Sequence, residues 1–232
     1  MRPPSLLLWA AELPRAALTI ASLPFARSLL DAASADDGRP VMILPGLANS
    51  DRSNFVLHRY LRSLGYRVEG WGLGRNFGVR TVGPDAEKLI ERVGNFARRS
   101  GEPVTLVGVS LGGMLARLVA HRMAKEVRQV ITIASPYAGD PRATNVWRIY
   151  ELLSGERIAD QNSCNRLSEL AQPLHVPTTA IWSPNDGLVN GFACHAPSEP
   201  GLRAIEIPGS HMGVQLRPRV MRAVADALAA SV

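Results

Sequence analysis

From Val41 to the end of the chain, short apolar runs alternate with longer stretches in which apolar positions return every three or four residues. The short runs read as strands. They are Val41-Met42-Ile43-Leu44, closed by Pro45-Gly46, then Tyr66 to Trp71, Val104 to Val109, Val130 to Ala134, Pro177 to Trp182 and Leu202 to Ile207. The periodic stretches read as helices over Ser53 to Leu64, Pro84 to Arg99, Leu111 to Ala124 and Arg217 to Ala230. Strands that are apolar throughout are buried on both faces, and helices between them cover a parallel sheet. The predicted fold class is α/β, a doubly wound, mostly parallel sheet of about six strands. The stretch 137–176 breaks the rhythm, with helical patterns around Val146 to Leu153 and Asn162 to Leu170. An insert of that length between two strands is expected to serve function, for example as a lid.

Residues 1–40 form a segment apart from the main domain, 41–232. Leu6, Trp9, Leu13, Ala16, Ala17, Ile20 and Leu23 recur at helical spacing, and Glu12, Arg15, Thr19 and Ser22 make a narrow polar stripe. The pattern is an amphipathic helix with a wide apolar face, kinked by Pro14 and ended or bent by Pro24. Three arrangements fit it. The helix packs on the domain's own core or in a dimer, or it lies in a membrane interface through residues 5–30, or it is a secretory signal ending at Ala33-Ser34-Ala35. Glu12, Arg15 and Arg27 interrupt the apolar region, which favours a cytoplasmic or membrane-associated chain over a secreted one.

The composition, 46% hydrophobic and 20% charged over 232 residues, excludes a disordered, collagen-like or coiled-coil chain. Two cysteines exclude a disulfide scaffold and a four-Cys zinc site; Cys164 and Cys194 are either a pair or free thiols. No run of apolar residues is long enough for an ordinary transmembrane helix. The net charge of +6 comes almost wholly from arginine, since only Lys88 and Lys125 are lysines. These arginines are scattered, without the cluster or stripe that nucleic-acid binding requires, so no nucleic-acid partner is expected. A basic surface still favours anionic membranes or acidic substrates.

Gly108-Val109-Ser110-Leu111-Gly112 has the form G-x-S-x-G between a buried strand and a helix. Such a turn is too tight for side chains beside the serine, and the new helix brings unpaired N–H groups to the serine oxygen. Ser110 is the candidate nucleophile. Its base is His211, which alone among five histidines follows the last strand and precedes the final helix. All loops after strands of a parallel sheet lie at one edge, so the two can meet. Asp186, in Ser183-Pro184-Asn185-Asp186-Gly187, is the orienting acid, with Asp140 the second candidate. The backbone N–H of Leu111 and that of Leu47, with Ala48 next, are the candidate oxyanion donors.

These motifs resemble the small bacterial lipases and esterases of the α/β-hydrolase fold, most closely the minimal Bacillus-type lipases in the nucleophile and terminal regions. The family's elbow matches Gly108 to Gly112. Its acid segment is similar to Ile181 to Val189, and its histidine segment to Gly209-Ser210-His211-Met212-Gly213. Its His-Gly-apolar oxyanion turn stands here as Pro45-Gly46-Leu47, with Pro in place of His. The resemblance spans about Val41 to Val232 and implies the fold and a Ser-His-Asp triad. It implies an esterase or lipase that needs no cofactor and no metal, acting on a small-molecule or lipid ester. The insert, the Asn76 region and the N-terminus lie outside it.

Trp71-Gly72-Leu73-Gly74-Arg75-Asn76-Phe77-Gly78 is Gly-rich but has Phe77 where a dinucleotide motif has Gly, and it lacks a P-loop lysine. It is expected at the rim of the site, with Asn76 and Phe77 as candidate substrate contacts. Trp147 and Tyr150 of the insert are expected either on an apolar lid face or in the core. A thioesterase or acyltransferase would use the same triad, and a non-catalytic module binding a hydrophobic ligand or a membrane is the alternative of a different class.

Overall fold

The computed structural model describes residues 1–31, 33 and 38–230. Six strands, β1 (Pro40–Leu44), β2 (Arg67–Gly70), β3 (Val104–Val109), β4 (Val127–Ile133), β5 (Thr178–Trp182) and β6 (Leu202–Glu206), form one sheet in the order β2-β1-β3-β4-β5-β6. Every pairing is parallel. The helices among the described residues are α1 (Leu6–Ala10), α2 (Glu12–Ser22), α3 (Arg27–Asp31), α4 (Phe55–Ser63), α5 (Val79–Val82), α6 (Glu87–Ser100), α7 (Leu111–Arg122), α8 (Trp147–Ser154), α9 (Gln161–Ala171) and α10 (Pro218–Ala229).

All residues of β1, β3 and β5 are buried, which is why these strands read as largely apolar runs, with Thr105, Thr178 and Thr179 buried among them. Their side chains divide between two cores. Val41, Ile43, Val107, Ile131 and Ile133 face α4 and α10, while Met42, Leu44, Leu106 and Val130 face α6, α7 and α9. Each such side chain contributes about 1.5–3 kcal/mol on burial. The chain passes from β1 to β2 on one side and then to β3 on the other. The crevice outside the carboxyl ends of β1 and β3 is therefore the topological switch point, where open α/β sheets bind ligands.

Several boundaries differ from the sequence reading. β4 begins at Val127 rather than Val130, because the polar Arg128 and Gln129 disguise its start. The helix expected from Pro84 begins at Glu87. Pro84 lies in the preceding turn, Ala86 takes a left-handed φ of 55°, and the short α5 was unforeseen. The helix expected from Ser53 opens with a 3-10 turn over Asp51–Asn54. Pro14 sits in the first turn of α2, where its missing N–H costs no intrahelical bond, and the break falls at Ala11.

The insert supplies α8 and α9. Leu170 of α9 packs in the core that α7 faces. Arg117 of α7, fully buried, fastens this region: its guanidinium bonds Glu199 Oε1 at 3.0 Å, Leu170 O at 2.9 Å and Gln172 O at 2.6 Å. It also lies over the Tyr137 ring at 3.8 Å. Cys164 and Cys194 are free thiols, the first exposed and the second buried.

The N-terminal helices pack on the domain the other way round from a core-packed amphipathic helix. Their polar stripe turns inward, with Glu12 only 2% exposed and Thr19 buried. Their apolar face turns outward, leaving Leu6, Leu7, Trp9, Leu13, Leu18, Ile20 and Phe25 exposed. Leu23 and Leu30 alone of this segment's leucines reach the core. Of the Ala33-Ser34-Ala35 site, Ser34 and Ala35 lie outside the described residues. No helix among the described residues is long and apolar enough to cross a membrane.

Candidate active site

Ser110 stands between β3 and α7 with φ 52° and ψ −121°, a backbone conformation that L residues seldom adopt. The turn holds because glycines let three backbones close on one another. A Cβ on Gly108 would fall on Gly112 O and Gly113 Cα, one on Gly112 would meet Leu44 O, and one on Gly113 would meet Ser135 Oγ. The result pushes the serine hydroxyl out over the carboxyl edge of the sheet, at the mouth of the crevice.

His211 and Asp186 reach it from the loops after β6 and β5. His211 Nε2 lies 3.1 Å from Ser110 Oγ, although the two are 101 positions apart in the chain. His211 Nδ1 lies 2.7 Å from Asp186 Oδ2. The other carboxylate oxygen of Asp186 accepts the N–H groups of Leu188 at 2.8 Å and Val189 at 2.9 Å, which fixes its plane. Burial pulls the His211 pKa down, but the charge and hydrogen bond of Asp186, with the charge of Glu12, outweigh it, and the net shift is upward from 6.5. Ser110, His211 and Asp186 stand in hydrogen-bonding sequence, which is the geometry a serine nucleophile requires. Asp140 is elsewhere: it is exposed, and its carboxylate accepts the N–H of Arg142 in its own turn.

Leu47 and Leu111 border the same cavity as Ser110. The N–H of Leu111 belongs to the first turn of α7, where no helix carbonyl can accept it. The turn after β1 lies against the nucleophile, since a Cβ on Gly46 would stand 3.4 Å from Ser110 Cβ. In that turn the Ala48 N–H is already engaged, donating to Asn76 O at 2.7 Å. Leu47 is therefore the better placed donor of the two.

Asn76 itself is not a rim contact. It is fully buried, and its side-chain amide donates to Pro45 O at 2.7 Å while its Oδ1 accepts the N–H of Gly78. Its backbone N–H donates to Asn49 O at 2.8 Å. Asn76 thus braces the turn after β1, and a buried polar side chain with its partners satisfied has none left for substrate. Phe77 is half-buried and does not line the cavity, and its N–H donates to Thr81 Oγ1. Trp147 does line the cavity, as does Tyr150.

That cavity runs from Ser110 beneath the insert and holds about 990 Å³ of empty space, part of it open to solvent. Its walls are mostly apolar, including Val82, Met114, Leu118, Trp147, Ile158 and Leu170. Two polar residues that the sequence reading gave no role tie the loops that carry Asp186 and His211. Ser183 Oγ donates to Gly209 O and accepts the Gly209 N–H, both at 2.8 Å, pinning the histidine loop to the end of β5. Glu12 of α2 accepts N–H groups from both the acid and the histidine loops. The D-G and G-x-H turns signal nothing of these contacts, which join positions 26 to 200 apart in the chain.

Comparisons with known proteins bear on the fold. The family described as "PGAP1-like alpha/beta domain" matches residues 85–176, which include Gly108 to Gly112 and the insert. No curated protein matches the sequence. Among solved structures, the mature form of the Bacillus licheniformis lipase BlEst2 is 13% identical, with TM-score 0.62 over 85% of this chain and 94% of that one. A pyrethroid hydrolase, PytH, is 17% identical, with TM-score 0.57 over 81% and 96%. An extracellular α/β-hydrolase from a Paenibacillus species is 14% identical, with TM-score 0.53 over 83% and 98%. At these identities the likeness is one of fold. The parallel sheet, its strand order and the solved structures it superposes on agree: this chain has the α/β-hydrolase fold.

Proposed function

We propose that the protein is a serine hydrolase of carboxylic esters with an apolar acyl group, acting through an acyl-serine intermediate. The observation that carries this reading is the run of contacts from Ser110 Oγ through His211 to Asp186, opening onto an apolar cavity. Ser110 Oγ attacks the ester carbonyl as His211 Nε2 takes its proton. The N–H groups of Leu47 and Leu111 hold the oxyanion, and Asp186 keeps the imidazole in the tautomer that presents Nε2 as acceptor. His211 then gives the proton to the leaving alcohol. Water enters, His211 takes a proton from it, and the acid departs as Ser110 regains its hydrogen. An acyl chain lies along Met114, Leu118 and Ile158, where burial contributes about 0.8 kcal/mol per methylene.

On the same reading, the outward apolar face of α1 and α2 rests on an anionic lipid surface that carries the substrate. Charge supports this occupant. In residues 1–26 the one acid, Glu12, is turned inward, so the exposed side offers apolar side chains with Arg2. The segment also adjoins the site: Asn145, beside the cavity-lining Val146, donates to Pro4 O at 3.2 Å.

Hydrolysis of p-nitrophenyl esters from short to long acyl chains, beside matched acyl-CoA thioesters, tests the proposal. Ester turnover that rises with chain length and falls at least about 10³-fold in Ser110→Ala, with an unchanged circular dichroism spectrum, is expected. An equally active Ser110→Ala variant, or turnover confined to thioesters, would overturn it.

A further inference from the structure

We infer that Glu12 is a positioning residue for catalysis, the brace through which the N-terminal helices hold the acid and histidine loops in register. This rests on the reading of Ser110, His211 and Asp186 as a hydrolytic triad.

Glu12 Oε1 accepts the N–H of Gly187 at 2.8 Å and the N–H of His211 at 3.0 Å, and Oε2 accepts the N–H of Met212 at 2.7 Å. One carboxylate therefore joins the residue after the catalytic acid to the catalytic histidine itself. The partners lie 175 to 200 positions away in the chain. Hydrogen bonds to an ionised acceptor are stronger than neutral ones, and three converge on a group only 2% exposed. The acid loop is shaped to receive it. A Cβ on Gly187 would collide with Leu8 O and crowd the Glu12 side chain, so the loop admits the helix only because that residue is glycine. Arg15, one turn on, donates to Asn185 O at 2.8 Å and ties the same loop from a second point. The polar stripe of the N-terminal helix faces inward for this reason: it carries contacts to the catalytic loops, and the apolar side is left outside.

The arrangement sets both geometry and charge at His211. The charged groups that act on it are Asp186 from the loop after β5 and Glu12 from α2, and Glu12 in turn faces Arg217 before α10, on which Arg15 and Arg219 also act. Losing the Glu12 charge removes one of the influences that raise the histidine's pKa. Glu12→Gln keeps the shape but puts an amide NH₂ against a backbone N–H. Glu12→Asp keeps the charge but withdraws it by one methylene.

The test is steady-state ester hydrolysis by the full chain across pH, with thermal melts of every variant. Glu12→Gln is expected to lose about 10- to 100-fold in kcat with little change in KM, the cost of a misplaced base, and to shift the acidic limb of kcat/KM to lower pH. Glu12→Asp is expected to lose kcat while the limb stays closer to that of the wild type. Tyr60→Phe is the control: Tyr60 OH donates to Leu30 O and holds the N-terminal segment away from both loops, so its loss should change the melt but not kcat or the limb. Wild-type kcat and pH limb in Glu12→Gln, whatever its melting temperature, would overturn the inference. Failure of both Glu12 variants to fold would do so too, assigning the residue to the fold. Failure of the triad reading looks different, as a wild-type protein whose Ser110 is inert.

Discussion

His211 stands under opposed influences, burial lowering its pKa and the carboxylates of Asp186 and Glu12 raising it, with the second prevailing. Catalysis needs the neutral imidazole, since a protonated one cannot take the Ser110 proton. The acidic limb of kcat/KM is therefore expected above pH 6.5, and a limb below that value in the wild type would contradict the geometry. The same shift bears on stability. A histidine raised in the folded state stabilises it fully below its unfolded pKa, and that contribution is lost as pH rises through the folded value. That Ser110, Asp186 and His211 would meet was legible in the sequence because each follows a strand of a parallel sheet and has a glycine within two residues. Asn76 and Glu12 were not. Asn76 looked like a rim residue, but its amide serves Pro45 O. Glu12 looked like one more polar position on a helix, because partners more than 170 positions away leave no mark in local spacing.

Among the elements, the buried strands were easiest to read and the N-terminal helices hardest. β1 and β3 are apolar at most positions because both faces are covered, and β5 shares that burial although it opens on Thr178 and Thr179. The period of α1 and α2 was equally plain, yet period alone does not say which face meets the protein. Here the polar face does, held by Glu12, and Leu7 and Phe25 are 83% and 87% exposed. An apolar face left outside this way predicts lipid association. In flotation with vesicles, the full chain is expected to bind those rich in phosphatidylserine more than pure phosphatidylcholine, with binding weakened by salt and by Leu6→Ser with Leu7→Ser. Equal recovery of wild type and variant with anionic vesicles would contradict the lipid-facing role. The insert shows a related limit. Its helices were visible as patterns, but that both line the cavity and that α9 also packs against α7 is settled by contacts across the fold, including the buried Arg117.

At the scale of the molecule, one topological fact organises the rest. The chain reverses its winding direction at β1, so the turn after β1 and the turn after β3 flank one crevice. Leu47 and Ser110 occupy those turns, and the later strands deliver Asp186 and His211 to the same edge. A fold shared with a lipase and a pyrethroid hydrolase fixes this framework and leaves the substrate to the cavity walls. The central claim is that Ser110 is an activated nucleophile. Reaction of the folded full chain with a fluorophosphonate, followed by peptide mass spectrometry, tests it most directly. The predicted result is one adduct, on Ser110, formed rapidly by the wild type and at least about 10³-fold more slowly in His211→Ala. No adduct, or an adduct on another serine with Ser110 unmodified, would contradict it.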